Sequence, residues 1–87
     1  MDFEYDPEKS RTNKEKRGID FEEAQHLWLD EERFLSPARN SGESRFALFG
    51  QWEQKVWTCI FTLRNGKIRI ISARRSRDGE KRIYYQR

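Results

Sequence analysis

The 87-residue chain contains one cysteine, one histidine, one methionine and two prolines. Cys59 alone cannot close an internal disulfide, and with His26 as the sole imidazole a zinc cluster is not credible. No apolar run approaches the roughly 20 residues that a membrane-spanning helix needs. The first residues, Met1-Asp2-Phe3-Glu4-Tyr5-Asp6, are acidic and lack the basic and apolar regions of a signal peptide. These absences argue against a secreted mini-protein, a membrane protein and a structural zinc module. A reducing, cytoplasmic setting is the expectation. The sequence shows no internal repeat, no Gly/Ser linker, no Ser/His/Asp set, no phosphate-cradling glycine loop and no metal-ligand cluster. Neither a metal nor an organic cofactor is expected.

Aromatics and charges are abundant. Six Phe, three Tyr and three Trp are too many for a disordered chain, although 38% of the residues are charged. The length fits one domain spanning residues 1–87. The charge is unevenly placed. Residues 1–32 hold 11 acids and 5 bases, a net of −6, whereas residues 33–87 hold 4 acids and 13 bases, a net of +9. Such a separation suggests a polyanion-binding surface on one side and an acidic face on the other.

Local patterns predict an α+β order. Phe3-Glu4-Tyr5 reads as a short strand. Asp6-Pro7 reads as an N-cap followed by a first-turn proline, opening a very polar helix to about Arg17. Lys14, Lys16 and Arg17 suit the end of that helix, and Gly18 can be its left-handed cap. Asp20 and Glu23 form a capping-box pattern, with Ile19 placed to staple onto Ala24. Phe21, Ala24, Leu27 and Trp28 then mark the buried stripe of a second helix running to about Asp30, with His26 at its boundary.

After Glu32 the chain reads as β. Arg33-Phe34-Leu35-Ser36-Pro37 is a short strand that Pro37 assigns to a sheet edge. Asn40-Ser41-Gly42-Glu43 is a turn. Arg45 to Trp52 and Lys55 to Leu63 are strands, Asn65-Gly66 is a two-residue hairpin loop, and Lys67 to about Arg75 returns. Beyond Asp78-Gly79, the stretch Glu80 to Arg87 is a short terminal helix or a fraying strand, with helix the expectation.

If Asn65-Gly66 closes the hairpin, Arg64 faces Lys67, Leu63 faces Ile68, Phe61 faces Ile70, Cys59 faces Ser72 and Trp57 faces Arg74. One face then carries Cys59, Phe61, Leu63, Ile68 and Ile70. The other carries Thr58, Thr62, Arg64, Lys67, Arg69 and Arg75, a basic surface suited to phosphate. Lys55 adds to it, and Lys81 and Arg82 extend it. Arg64 and Arg74 sit in a half with no acid expected to pair them. Trp52 and Trp57 either stack on bases or pack across strands. Glu53, Glu80, Tyr84 and Tyr85 are the acid/base candidates of the basic half.

The stretches Phe3-Glu4-Tyr5-Asp6, Asn13-Lys14-Glu15-Lys16-Arg17-Gly18-Ile19-Asp20-Phe21-Glu22-Glu23-Ala24, Arg45-Phe46 and Arg69-Ile70-Ile71-Ser72-Ala73-Arg74-Arg75, with Glu80 and Tyr84 following, together closely resemble the BrnT family. Those proteins are the toxin halves of type II toxin–antitoxin pairs. The resemblance implies a RelE-like fold: two N-terminal helices on a mostly antiparallel sheet, here with a short C-terminal helix. It implies an endoribonuclease that halts translation. It also implies a cognate BrnA-type antitoxin, assembled as two toxins with two antitoxins, which alone contacts operator DNA. The family's functional arginines match Arg64 and Arg74. The family usually has His before the Gly-Ile pair, where this chain has Arg17. If that histidine serves chemistry, Arg17 alters it; if it only caps the helix end, Arg17 replaces it electrostatically, the reading adopted here.

The leading expectation is therefore metal-independent RNA cleavage. Arg64 and Arg74 would stabilise the scissile phosphate, Glu53, Glu80 or a tyrosine would accept a proton, and Lys55, Lys67, Arg69, Arg75 and Trp57 would contact RNA. The competing readings are a non-catalytic nucleic-acid-binding module and a protein-interaction domain.

Overall fold

Asp6 opens helix α1 (Pro7–Arg17) as its side chain accepts from the Glu8 backbone N–H at 2.9 Å. Gly18, at φ +82°, closes it by donating its N–H to Lys14 O at 2.9 Å. In the computed structural model, which describes residues 1–38 and 42–86, this helix docks through polar contacts. Its one buried residue is Ser10, whose Oγ accepts from Phe21 N at 2.9 Å. The Asn13 amide donates to Ile19 O at 2.8 Å and to Ala73 O at 2.9 Å.

The capping box at Asp20 and Glu23 forms, with Glu23 N donating to Asp20 Oδ1 at 2.7 Å and Asp20 N to Glu23 Oε1 at 3.0 Å. The helix that follows is not the expected α-helix. It is a 3₁₀ helix, Glu23–Leu29. Ala24 and Leu27 lie three residues apart, and three residues make one 3₁₀ turn, so both fall on the buried side. The helix lies very close to the sheet: a Cβ on Gly50 would come within 3.0 Å of Leu27 O.

The strands are β1 (Phe3–Glu4), β2 (Phe34–Ala38), β3 (Arg45–Trp52), β4 (Lys55–Arg64) and β5 (Lys67–Arg75), in the order β1-β5-β4-β3-β2. The sheet, expected to be mostly antiparallel, is mixed: β1 runs parallel to β5, through Phe3–Ile68 and Glu4–Arg69. The Pro37 strand is at an edge, as expected. Asn65 (φ +53°) and Gly66 (φ +76°) form the hairpin turn and pair Arg64 with Lys67. Glu53 (φ +54°) and Gln54 (φ +66°) turn the β3–β4 hairpin in the same left-handed region without a glycine. Of the expected turn at Asn40-Ser41-Gly42-Glu43, Asn40 and Ser41 lie outside the described residues, as does Arg87 at the chain end. The terminal segment is helical, as expected, but helix α2 spans Asp78–Tyr85: Asp78-Gly79, expected to break the pattern, forms its first turn.

The expected hairpin register holds only as far as Phe61–Ile70. A β-bulge then makes Ile71 an extra residue: Ile60 pairs with Ser72, Cys59 with Ala73, Thr58 with Arg74 and Trp57 with Arg75. One added residue inverts the facing of everything beyond it. The expected pairs Cys59–Ser72 and Trp57–Arg74 are therefore corrected. Arg74 joins the face of Thr58, and Arg75 moves to that of Trp57.

Both sheet faces are partly covered. The 3₁₀ helix covers Leu48, Cys59 and Phe61 with Leu27 and Trp28. On the other face, α2 brings Tyr84 onto Ala47, Phe49 and Val56. Leu63, assigned to the core by alternation, is 60% exposed. Among the described residues no helix is long and apolar enough to cross a membrane.

Candidate functional site

The bulge and the start of α2 together build a compact charged unit. Arg74 grips Glu80 with both ends of its fork, Nη1 to Oε1 and Nη2 to Oε2, each at 2.8 Å. Glu80 also accepts from the Arg77 backbone N–H at 2.8 Å and from Thr58 Oγ1 at 3.0 Å. Thr58 Oγ1 lies 2.8 Å from Ser76 Oγ, completing a buried polar chain. The two charged side chains are only 22% and 21% exposed. An Arg–carboxylate fork of this kind is among the stronger protein hydrogen-bonding arrangements.

The Arg74 guanidinium is the main cause that pulls the Glu80 carboxyl down to about 2, helped by Arg77 N–H and Thr58 and opposed by burial. Because the folded value is depressed from an ordinary 4.5, the stabilisation is complete above that value and is lost as pH falls towards 2. Denaturant unfolding across this range should show wild-type stability falling with pH. Glu80→Gln should be less stable at neutral pH and show a flatter slope. A Glu80→Gln curve parallel to that of the wild type would rule out Glu80 as the source.

Arg74 also lines a cleft of about 490 Å³ between α1 and β5. Lys9, Lys16 and Arg17 of α1 line the cleft, together with Arg74 and Arg77. Five cations thus share it with a single carboxylate, that of Glu8. Asn13 holds the two walls together through the Ala73 backbone, donating at 2.9 Å to its carbonyl and accepting from its N–H at 3.4 Å. Lys9, Asn13 and Lys16 follow the i, i+4, i+7 spacing of one helix face. The sequence reading placed the basic site on the sheet, extended by Lys81 and Arg82, and missed this α1 wall. The signal was present in that spacing, on a helix with no apolar stripe to occupy the face.

The other expected site residues are dispersed. Arg64 lies six residues along β4 from Thr58, the partner of Arg74, or about 20 Å at ~3.3 Å per residue. Lys67 pairs across from Arg64, also at that far end. Arg69 pairs with Thr62, closer to Arg74 on the same face. The expectation that Arg64 and Arg74 lack acidic partners is corrected, and Arg69 has one as well. Arg74 has Glu80, Arg64 Nη2 lies 3.4 Å from Glu43, and Arg69 Nη1 lies 3.2 Å from Glu4.

Glu53 and Lys55 are exposed at the β3–β4 turn. Arg75 stacks over the Trp57 ring at 5.6 Å. Trp57 is 5% exposed and donates its indole N–H to Trp52 O at 3.1 Å, so it packs rather than presenting a face. Tyr84 is buried, with its hydroxyl donated to Asp30. Burial pushes the Cys59 thiol upward, as befits a packing residue. Among the described residues no group of three or more His, Cys, Asp or Glu could hold a metal ion.

A family model described as a ribonuclease toxin, BrnT, of type II toxin–antitoxin systems matches residues 5–80. The matched stretch includes the whole cleft and both members of the Arg74–Glu80 pair. A search among curated proteins finds no match.

Proposed function

The chain belongs to the BrnT family of ribonuclease toxins of type II toxin–antitoxin systems, and from that premise we propose that it cleaves RNA by charge stabilisation at Arg74, without a metal ion. The family implies an RNA target and a protein antitoxin. The observation that carries the proposal is the Arg74 fork, fixed in the lining of a cationic cleft.

In this reading the RNA 2′-oxygen attacks the adjacent phosphorus and the P–O5′ bond breaks. The products are a 2′,3′-cyclic phosphate and a free 5′-hydroxyl. The attacking hydroxyl gives up a proton and the leaving oxygen gains one. Negative charge grows on the non-bridging oxygens as phosphorus becomes five-coordinate. A preorganised guanidinium beside them lowers the barrier because it needs no reorganisation as the charge develops.

Glu80 serves as the anchor of that fork. With four donors on its carboxylate and a proton affinity reduced to about 2, it is a poor proton acceptor near neutral pH. Arg69, Arg64 and Lys67 would meet more distant phosphates along the same face. Cleavage of messages in the cytoplasm would stop translation. A BrnA-like antitoxin, in a complex of two toxins and two antitoxins, would silence the enzyme by covering this basic surface.

The test is cleavage of an RNA oligonucleotide by free protein in EDTA. Cleavage should persist, yield a 2′,3′-cyclic phosphate end, and vanish when the nucleotide 5′ to the break is 2′-deoxy. Loss of cleavage on adding EDTA would refute metal independence. Folded protein that binds the oligonucleotide but never cuts it would make the chain a non-catalytic RNA binder.

A further inference from the structure

Helix α1 carries five cations, and they fall into two groups. Arg11 and Lys14, outside the cleft, are paired with Glu8 and Glu23. Lys9, Lys16 and Arg17 line the cleft, and none has a carboxylate partner among the described residues. The same holds for Arg77 on the opposite wall. On an unliganded surface, unpaired cations brought together repel one another, and an anion between them removes that cost.

From this arrangement we infer that the α1 wall of the cleft holds the RNA backbone, so that the strand runs between α1 and β5 past Arg74. The inference rests on the RNA-cleaving reading and locates the path of its substrate. The acidic N-terminal half of the chain therefore supplies part of the RNA site.

The dimensions fit. Lys9 and Lys16 are seven residues apart, about 10 Å along the helix at 1.5 Å per residue. That is about three steps of a stacked strand at ~3.4 Å each. The 490 Å³ volume lies within the ~300–1,000 Å³ range of small-ligand pockets. Thr12 and Ser72 line the cleft with hydroxyls that can bond sugar or phosphate oxygens. The Asn13 amide, committed to the Ala73 backbone, holds α1 at a constant distance from β5.

Binding of an all-2′-O-methyl RNA oligonucleotide, which cannot be cut, separates this inference from the cleavage reading. The double variant Lys9→Gln/Lys16→Gln should bind at least tenfold more weakly near 0.1 M salt. Its slope of log K against log[salt] should shrink by about 1.4, since each phosphate contact on a single strand contributes ~0.7. Lys14→Gln, on the same helix but outside the cleft and paired with Glu23, which does not line it, should change neither. Lys9 and Lys16 have no carboxylate partner to lose among the described residues, so circular dichroism melts of wild type and variant should coincide. Unchanged affinity and slope in the double variant, while wild type still cuts RNA in EDTA, would overturn the inference and leave the cleavage reading standing. Retained RNA affinity with a lost antitoxin complex would overturn it too, and would make the cleft the antitoxin's seat. Wild type that binds through the cleft but never cuts would uphold the inference and remove the cleavage reading.

Discussion

Replacing Arg74 with alanine is expected to lower RNA cleavage by about 10²–10³-fold, the usual cost of removing one preorganised donor from a site of developing negative charge. The fork is held bidentately at 2.8 Å and is one-fifth exposed, so no flexible neighbour can take its place without rebuilding the site. The same variant should also be less stable. Glu80 would keep only Arg77 N–H and Thr58 as donors while remaining partly buried. Losing a charge-assisted bond of this kind costs ~1.5–3 kcal/mol.

The two effects can be separated. Arg74→Ala combined with Glu80→Gln removes the orphaned charge and should regain part of the stability, and cleavage should stay lost. Recovery of cleavage along with stability would make Arg74 a structural ion pair and nothing more. Arg74→Lys should fall between, because a lysine keeps the charge but not the planar fork.

The second large effect is structural. Trp28→Ala should destabilise the protein by ~3–5 kcal/mol. Trp28 is 9% exposed and meets Phe3 edge-on at 5.0 Å and Phe61 at 5.2 Å. It thereby ties the 3₁₀ helix to the first strand and to the centre of the sheet. Against the ~5–15 kcal/mol typical of whole domains, such a loss leaves little folded margin. At ~4–8 °C per kcal/mol for a domain of this size, the melting temperature should drop by at least about 12 °C. Trp28→Phe should lose far less. A loss under 1 kcal/mol in Trp28→Ala would mean that the 3₁₀ helix is not a packing element.

Legibility followed the range of the forces involved. The caps at Asp6, Gly18 and Asp20/Glu23 were readable because each is settled by a few adjacent residues. Asn65-Gly66 announced its hairpin for the same reason, since left-handed backbone is easiest at those residue types. Glu53-Gln54 makes a similar turn with no such signal; there the pairing of β3 with β4 imposes the conformation. The second helix was readable as a buried stripe of Phe21, Ala24, Leu27 and Trp28, but not as 3₁₀. Its tight winding goes with its close approach to the sheet at Gly50.

By itself the sequence determined that the chain is an α+β protein with a basic C-terminal half, where its first helix begins and ends, which strands surround Asn65-Gly66, and which family the whole resembles. Those properties depend on composition and short-range pattern. Tertiary structure alone decided which charges meet. The extra residue at Ile71 turned Arg74 to the face of Thr58 and Arg75 to that of Trp57, a choice that strict alternation cannot anticipate. Helix α2 then brought Glu80 onto Arg74. The docking of polar α1 beside β5 placed Lys9, Lys16 and Arg17 around the same arginine, although 57 or more residues separate them along the chain. Electrostatic interaction depends on distance in space, and only the folded arrangement sets that distance.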